Sequence, residues 1–318
     1  ICQFIIFGIG LISKFIFIGR LNINVENVLY QGILTQFFAV TVNFFILAIP
    51  IMFLSLLNGV NEKTKFIFYS AVSISTFITY AFRWRLFMLL FPLFLIYFFH
   101  KKAKPKIIFL ISIAISTFLF FGFIQLARNY GAGLDINNYQ MQRNFSDQPS
   151  AFSLILKASF FDSNVFNTSA GMIYKTPSEY NFVGIAPVIN AIAVPIPRMV
   201  WPEKPSGEYV IELYKKIYPG KYWEIGAASL GFAEYFISGG WIALVTLNFL
   251  LGYFYKRLWI WFFYNFYDPL AQITYPSYLS FLFILYSRGY FLQIIFLYCT
   301  IFAPLILISY LWNRKFNL

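Results

Sequence analysis

Charge is scarce in this chain: 11% of its 318 residues are Asp, Glu, Lys or Arg. Soluble domains carry roughly 25%, so a water-soluble globule, which must cover its surface with polar groups, is excluded. Histidine is nearly absent, with His100 alone, and the two cysteines, Cys2 and Cys299, both sit in apolar runs. That removes zinc sites of the usual His/Cys kind and a disulfide framework. The sequence contains no Walker-type phosphate loop and no Asp-x-Asp pair for a metal-held sugar nucleotide. ATP-driven or sugar-nucleotide chemistry is not expected.

What is present is apolar. Hydrophobic residues make up 60% of the chain, with 42 Phe and 23 Tyr, and mean hydropathy is +0.69. Aromatic abundance of this kind suits lipid-facing and interfacial positions. The composition implies an all-α polytopic membrane protein. The formal charge of +12 then reads as loops that meet anionic lipid, not as a nucleic-acid surface. The chain opens at Ile1 inside a hydrophobic run, without a basic region or cleavage site, as expected of a sequence that lacks some N-terminal residues.

A spanning helix needs about 20 apolar residues, and about eight candidates can be placed. They cover 1–19, 33–57, 66–82, 86–99, 107–125, 239–255, 271–286 and 291–312. The fourth is short, and Arg85 and Lys101 are expected to extend it by snorkelling. The seventh is short too and contains Pro276. If the spans alternate, Lys63, Lys65, Lys101, Lys102, Lys104, Lys106, Lys256, Arg257, Arg314 and Lys315 share one side with only Glu62 and Asp268. The positive-inside rule makes that side cytoplasmic. His100 falls there as well, so no Ser-His-Asp set can form on the opposite face.

The opposite, outer side carries Arg20, Arg83, Arg85, Arg288 and a long segment, 127–236. The expected organisation is therefore N-terminal spans over 1–126, an extracytoplasmic loop domain over 127–236 and C-terminal spans over 237–318. Within the loop, 130–149 is polar and Asn-rich, and 151–161 has an apolar face suited to an interfacial helix. The stretch 182–193 is apolar but too short to cross, so re-entrant or interfacial placement is expected. A short helix is expected within 207–222, ending near Pro219-Gly220.

The most distinctive stretch is AVPIPRMVWPEKP, 193–205. Pro195, Pro197, Pro202 and Pro205 fix φ and remove backbone donors, so no regular helix runs through it. Arg198, Trp201 and Lys204 are thereby displayed on a stiff backbone. Guanidinium groups match phosphate oxygens and stay charged in a low-dielectric setting. Arg83, Arg85, Arg128, Arg198 and Arg288 share one expected membrane face, and a lipid-linked phosphate or pyrophosphate would account for them. The alternative is that each snorkels to headgroups or pairs with a carboxylate. Trp201 suits an interfacial anchor, and Lys204 suits either a phosphate contact or solvent.

Glu234 is the carboxylate that stands out, near the outer start of the sixth expected span, within GAASLGFAEYFISGG. Carboxylates at membrane level are rare and usually functional. Glu234 is either a general base on a sugar hydroxyl or the ion-pair partner of an arginine. Asp162 and Glu224 are weaker candidates, read as solvated or structural.

These motifs resemble the O-antigen and capsule repeat-unit polymerases (Wzy-type) of bacterial envelopes. The resemblance rests on a large outer loop with Pro177 and Gly184 leading into Pro197–Pro205 (PRMVWPEKP). A Gly/Ser-rich approach to Glu234 and then Gly239-Gly240-Trp241 follow. It covers about residues 128–252, and elsewhere only hydropathy with Arg83, Arg85 and Arg288-Gly289.

The resemblance implies a metal-independent, cofactor-free glycosyltransferase on the outer face of the bacterial inner membrane. It would use an undecaprenyl-pyrophosphate-linked oligosaccharide as donor and a second lipid-linked unit as acceptor. A chain-length regulator and a flippase would be its partners. Arg83, Arg85, Arg128, Arg198, Lys204 and Arg288 would hold the pyrophosphate, and Glu234 with Arg198 would be catalytic. Two rivals stand beside this reading. O-antigen ligases share the layout but use an outer-loop histidine, which this sequence does not offer. A lipid-linked oligosaccharide flippase would place charge through the bilayer depth and show repeated halves.

Overall fold

The computed structural model describes residues 8, 42–79, 83–129, 151–160, 164–193, 196, 200–205, 208–219, 229–287, 289, 298 and 302. All regular structure among the described residues is helical. The chain divides into two compact units, Ile1–Asp162 and Ser163–Leu318. This partition follows packing, whereas the division at 126 and 236 followed expected membrane sidedness.

The first unit is built around α1 (Phe45–Leu57), an uncharged helix whose first six residues are all buried. A helix that is apolar all round must be covered on all sides, and α2 (Lys63–Thr79) and α3 (Arg83–Lys101) pack against it. Phe45 meets Phe77 edge-on at 6.2 Å. Leu86, Leu89 and Ile96 of α3 are buried at helical spacing, which gives that helix one inward face.

α4 (Ile107–Asn129) differs in that most of its apolar side chains are exposed. Lipid is the solvent that suits such a surface. α5 (Ala151–Ser159) runs back along α4: the Ser159 hydroxyl donates to the Phe118 carbonyl at 3.2 Å, and Phe160 meets Phe118 at 5.2 Å. The missing side chain of Gly122 permits this, because a Cβ there would lie 2.6 Å from the Ile155 carbonyl oxygen. Ile155 and Ser159 thus face the neighbouring helix, while Phe152, Leu156 and Phe160 remain exposed.

Among the described residues, three helices are long and apolar enough to cross a membrane: Trp84–Lys101, Ile107–Ile124 and Gly231–Tyr264. Several expected boundaries are corrected. The fourth span does not need snorkelling, since α3 continues through Arg83, and Arg85 is 9% exposed, packed inward. The sixth runs on past Lys256 and Arg257 to Tyr264, so those two cations project from a helix instead of ending it. Of the expected spans 33–57 and 66–82, residues 33–41 and 80–82 lie outside the described residues, and α1 and α2 are the helical parts that are described. The expected spans 1–19 and 291–312 lie outside the described residues except for Gly8, Tyr298 and Phe302.

The second unit holds α6 (Asn164–Lys175), α7 (Ala186–Ala193), α8 (Glu208–Ile217), α9 (Gly231–Tyr264) and α10 (Pro269–Ser287). α8 falls inside the expected 207–222. α10 stays helical through Pro276 and packs on α9, with Phe262 stacked on Tyr275 at 4.4 Å.

α9 holds 34 residues, about 51 Å at 1.5 Å per residue, and is kinked at Gly239 and Gly240. Gly240 has φ +66° and ψ −151°, a conformation that needs glycine. Residues 231–238 therefore form a separate buried piece, and 241–264 form the part with an exposed apolar surface. Just before the kink, the Ile237 carbonyl accepts the Val183 N–H at 2.9 Å.

Candidate functional site

The site is built where the buried first piece of α9 meets α6 and α8. Ala233 and Ile237, one turn apart, pack into a cluster with Met172 of α6 and Tyr209 and Leu213 of α8. Tyr209 and Leu213 are also four residues apart, so each helix contributes one face. The start of α9 is fixed by two further contacts. The Leu230 N–H donates to the Ser169 hydroxyl at 2.7 Å, and the Gly289 N–H donates to the Ser229 carbonyl at 2.6 Å. Gly231 and Gly289 meet backbone to backbone, since a Cβ on Gly289 would lie 2.6 Å from the Gly231 Cα.

Glu234 lies in the first turn of α9 and is 1% exposed. The Tyr209 hydroxyl donates to its carboxylate Oε1 at 2.8 Å. A buried carboxylate with a phenolic donor is a group held in one geometry, the arrangement proton transfer requires. A helix N-terminus also favours negative charge at this position.

Tyr209 forms one wall of an open cleft of about 570 Å³, shared with Pro177, Ser178, Glu179, Tyr180, Asn181, Phe182, Val183, Ala186 and Lys216. The buried carboxylate is thus one residue away from an open cleft. Lys216 donates to the Glu179 carbonyl at 2.6 Å, and its ammonium lies 5.0 Å from the Tyr180 ring centre. The Tyr180 hydroxyl donates to Glu212 at 3.3 Å. Burial, and then the Glu212 carboxylate, raise the Tyr180 phenol above its ordinary value. The cleft sets the aromatic side chains of Tyr180, Phe182 and Tyr209 beside a largely polar lining that includes Ser178, Glu179, Asn181 and Lys216.

The residues expected from sequence fall unevenly. Glu234 is at this site. Lys204 donates to the Ala193 and Ile196 carbonyls at 3.3 and 2.7 Å, closing the C-terminal end of α7. Trp201 is exposed, and its carbonyl accepts the Lys204 N–H at 3.3 Å in a turn through Pro202. Arg85 belongs to the first unit and lies 4.9 Å from the ring centre of Trp84. Arg83 and Arg128 lie on the backbones of α3 and α4, with their side chains outside the described set. Arg198, Arg288, Asp162 and Glu224 are outside the described residues.

Tyr209, Tyr180 and Lys216 were missed from sequence. The pair Tyr209 and Leu213 signals an inward face of α8, but no local pattern says that this face ends on Glu234. Among the described residues, no group of three or more His, Cys, Asp or Glu could hold a metal. Comparison with family models, with curated proteins and with solved structures finds no match for the chain.

Proposed function

We propose that this chain is a membrane glycosyltransferase that polymerises undecaprenyl-pyrophosphate-linked oligosaccharide repeat units on the outer face of the bacterial inner membrane. The reading includes eight spans with 127–236 facing outward, and an active site without metal or cofactor. The observation that carries it is the Tyr209–Glu234 pair, a buried carboxylate behind the wall of an aromatic cleft at the start of an apolar helix. Sugars suit such a cleft, because ring faces cover their C–H surfaces while fixed polar groups take their hydroxyls.

In the proposed reaction an acceptor hydroxyl enters the cleft and attacks the anomeric carbon of the donor. Its proton passes to the Tyr209 oxygen as the phenolic proton passes to Glu234. The new glycosidic C–O bond forms while the bond to pyrophosphate breaks, and the lipid pyrophosphate leaves with the electron pair. Within the second unit, Arg198 and Arg288, with Lys204, are proposed to stabilise that developing charge.

Two experiments test this. Polysaccharide ladders are compared in cells that carry wild type, Glu234→Gln or Arg198→Ala; both variants should accumulate as protein but make no long chains. Normal ladders in Glu234→Gln would sink the base assignment. In the second, purified protein is mixed with lipid-pyrophosphate oligosaccharide in the presence of a chelator. Lengthening is expected, whereas translocation without lengthening would favour the flippase reading.

A further inference from the structure

We propose that α7 is an interfacial membrane anchor, inserted by its Ile185/Val188/Ile189/Ile192 face at the boundary between headgroups and acyl chains. These four side chains are 71, 47, 43 and 64% exposed; Val188, Ile189 and Ile192 lie on one side of the helix, and Ile185 lies in the turn just before it. Pro187, Asn190, Ala191 and Ala193 on the other side are buried. No charged residue occurs from 181 to 197. At eight residues, about 12 Å, the helix is too short to cross a hydrocarbon core of about 30 Å.

Continuity identifies lipid as the occupant. The Phe182 ring, three residues before Ile185, lies 3.2 Å from where a Cβ on Gly240 would be, at the kink that begins the exposed part of α9. Phe182 packs on Phe236 at 6.2 Å, and Phe236 packs on Trp241 at 5.3 Å. From Trp241 onward the apolar surface of α9 is open, with Ile242 82% exposed. The apolar face of α7 therefore starts at the level where a membrane-length helix starts. The Lys204 ammonium, bonded to the Ala193 and Ile196 carbonyls, supplies the partners that a helix end needs where water is sparse, and places a cation at headgroup level.

One consequence concerns the cleft. It shares Phe182, Val183 and Ala186 with the entry to α7. An anchored α7 holds the cleft at headgroup height, where the polar head of a membrane-bound amphiphile can reach it without leaving the bilayer.

The test uses the full-length protein in phosphatidylethanolamine/phosphatidylglycerol vesicles, with Cys2 and Cys299 replaced by alanine. A nitroxide is attached at Ile189→Cys, and separately at Glu212→Cys as the aqueous reference. The Ile189 label should collide with oxygen several-fold more than with a water-soluble nickel chelate, and the Glu212 label should show the reverse preference. A nickel-accessible Ile189 label overturns the proposal. So does an immobilised label shielded from both reagents, which would mean that protein covers this face. Val188→Cys and Ile192→Cys repeat the measurement if Ile189→Cys does not fold. The depth of the label is independent of catalysis, so an inactive protein still reports where α7 lies.

Discussion

The hydroxyl of Tyr209 reaches the carboxylate of Glu234 at 2.8 Å across 25 positions of sequence, and it does so with both side chains nearly closed to solvent. Tyr209→Phe keeps the ring that packs on Met172 and Ala233 and removes only the donor. Leaving a buried carboxyl short of one donor costs about 1–3 kcal/mol, so thermal unfolding in detergent should move down by a few degrees. On the proposed mechanism polymer synthesis is lost as well. Wild-type ladders in Tyr209→Phe would separate the stabilising bond from any proton transfer.

The close approach of Gly231 and Gly289 fixes where α9 begins. A Cβ on Gly231 would collide with the Leu285 carbonyl oxygen, and one on Gly289 would lie 2.6 Å from the Gly231 Cα. Backbone does not move aside cheaply, so Gly231→Ala and Gly289→Ala should each cost about 1–3 kcal/mol or more. Gly252 has nothing within 4 Å of its Cβ position. There alanine should be neutral or stabilising by about 0.5–1 kcal/mol, as in a helix interior. Melting temperatures of the three variants check the opposite signs.

At the kink, Gly240 combines φ +66° with the Phe182 ring 3.2 Å from its missing Cβ. Gly240→Ala should cost about 1–3 kcal/mol through backbone strain. The double variant with Phe182→Leu should recover only the steric part, because the strain lies in φ and ψ. Unfolding midpoints of the single and double variants measure the split.

Tyr180 gives a pH dependence with a definite sign. Its phenol is raised by burial first and by Glu212 second. A raised acid keeps its proton longer in the folded state, so its contribution to stability is present below the ordinary phenol value. That contribution is lost as pH rises through the higher folded value. Glu212→Gln removes the charge and should bring the phenol part of the way down. Difference absorbance titrations of wild type against Tyr180→Phe, in both Glu212 backgrounds, should show that movement. An unchanged titration in Glu212→Gln would mean that burial alone sets the shift.

Glu234 was legible because a carboxylate among glycine, alanine and aromatic residues beside a long apolar run is out of place in water and in lipid alike. The α8 helix was legible within 207–222 for a similarly local reason: EYVIELYKKI alternates faces and is followed by Pro219. The cleft was not legible. Its walls come from a turn at Pro177–Val183, from α8 and from the entry to α7, and no local pattern links a tyrosine in one to a carboxylate beneath another. Arg85 also read differently in sequence, as a residue reaching outward, because periodicity cannot tell a helix that ends at an arginine from one that passes through it.

By itself the sequence determined the solvent. Runs of uncharged, Phe-rich residues cannot be covered by so few charges in water, and that follows from composition whatever the chain's path. It did not determine where helices break, since α1, α3 and α10 run on through Pro50, Pro92 and Pro276 while α9 kinks at Gly239 and Gly240. Only the tertiary structure decided that the long α9 is two pieces with different surroundings, one buried in the unit and one with an exposed apolar surface. It likewise decided that the Val183 N–H bonds the Ile237 carbonyl beside the kink, and that Tyr209 is the residue between Glu234 and the cleft. Those outcomes depend on contacts between segments far apart in sequence, which local propensity does not encode.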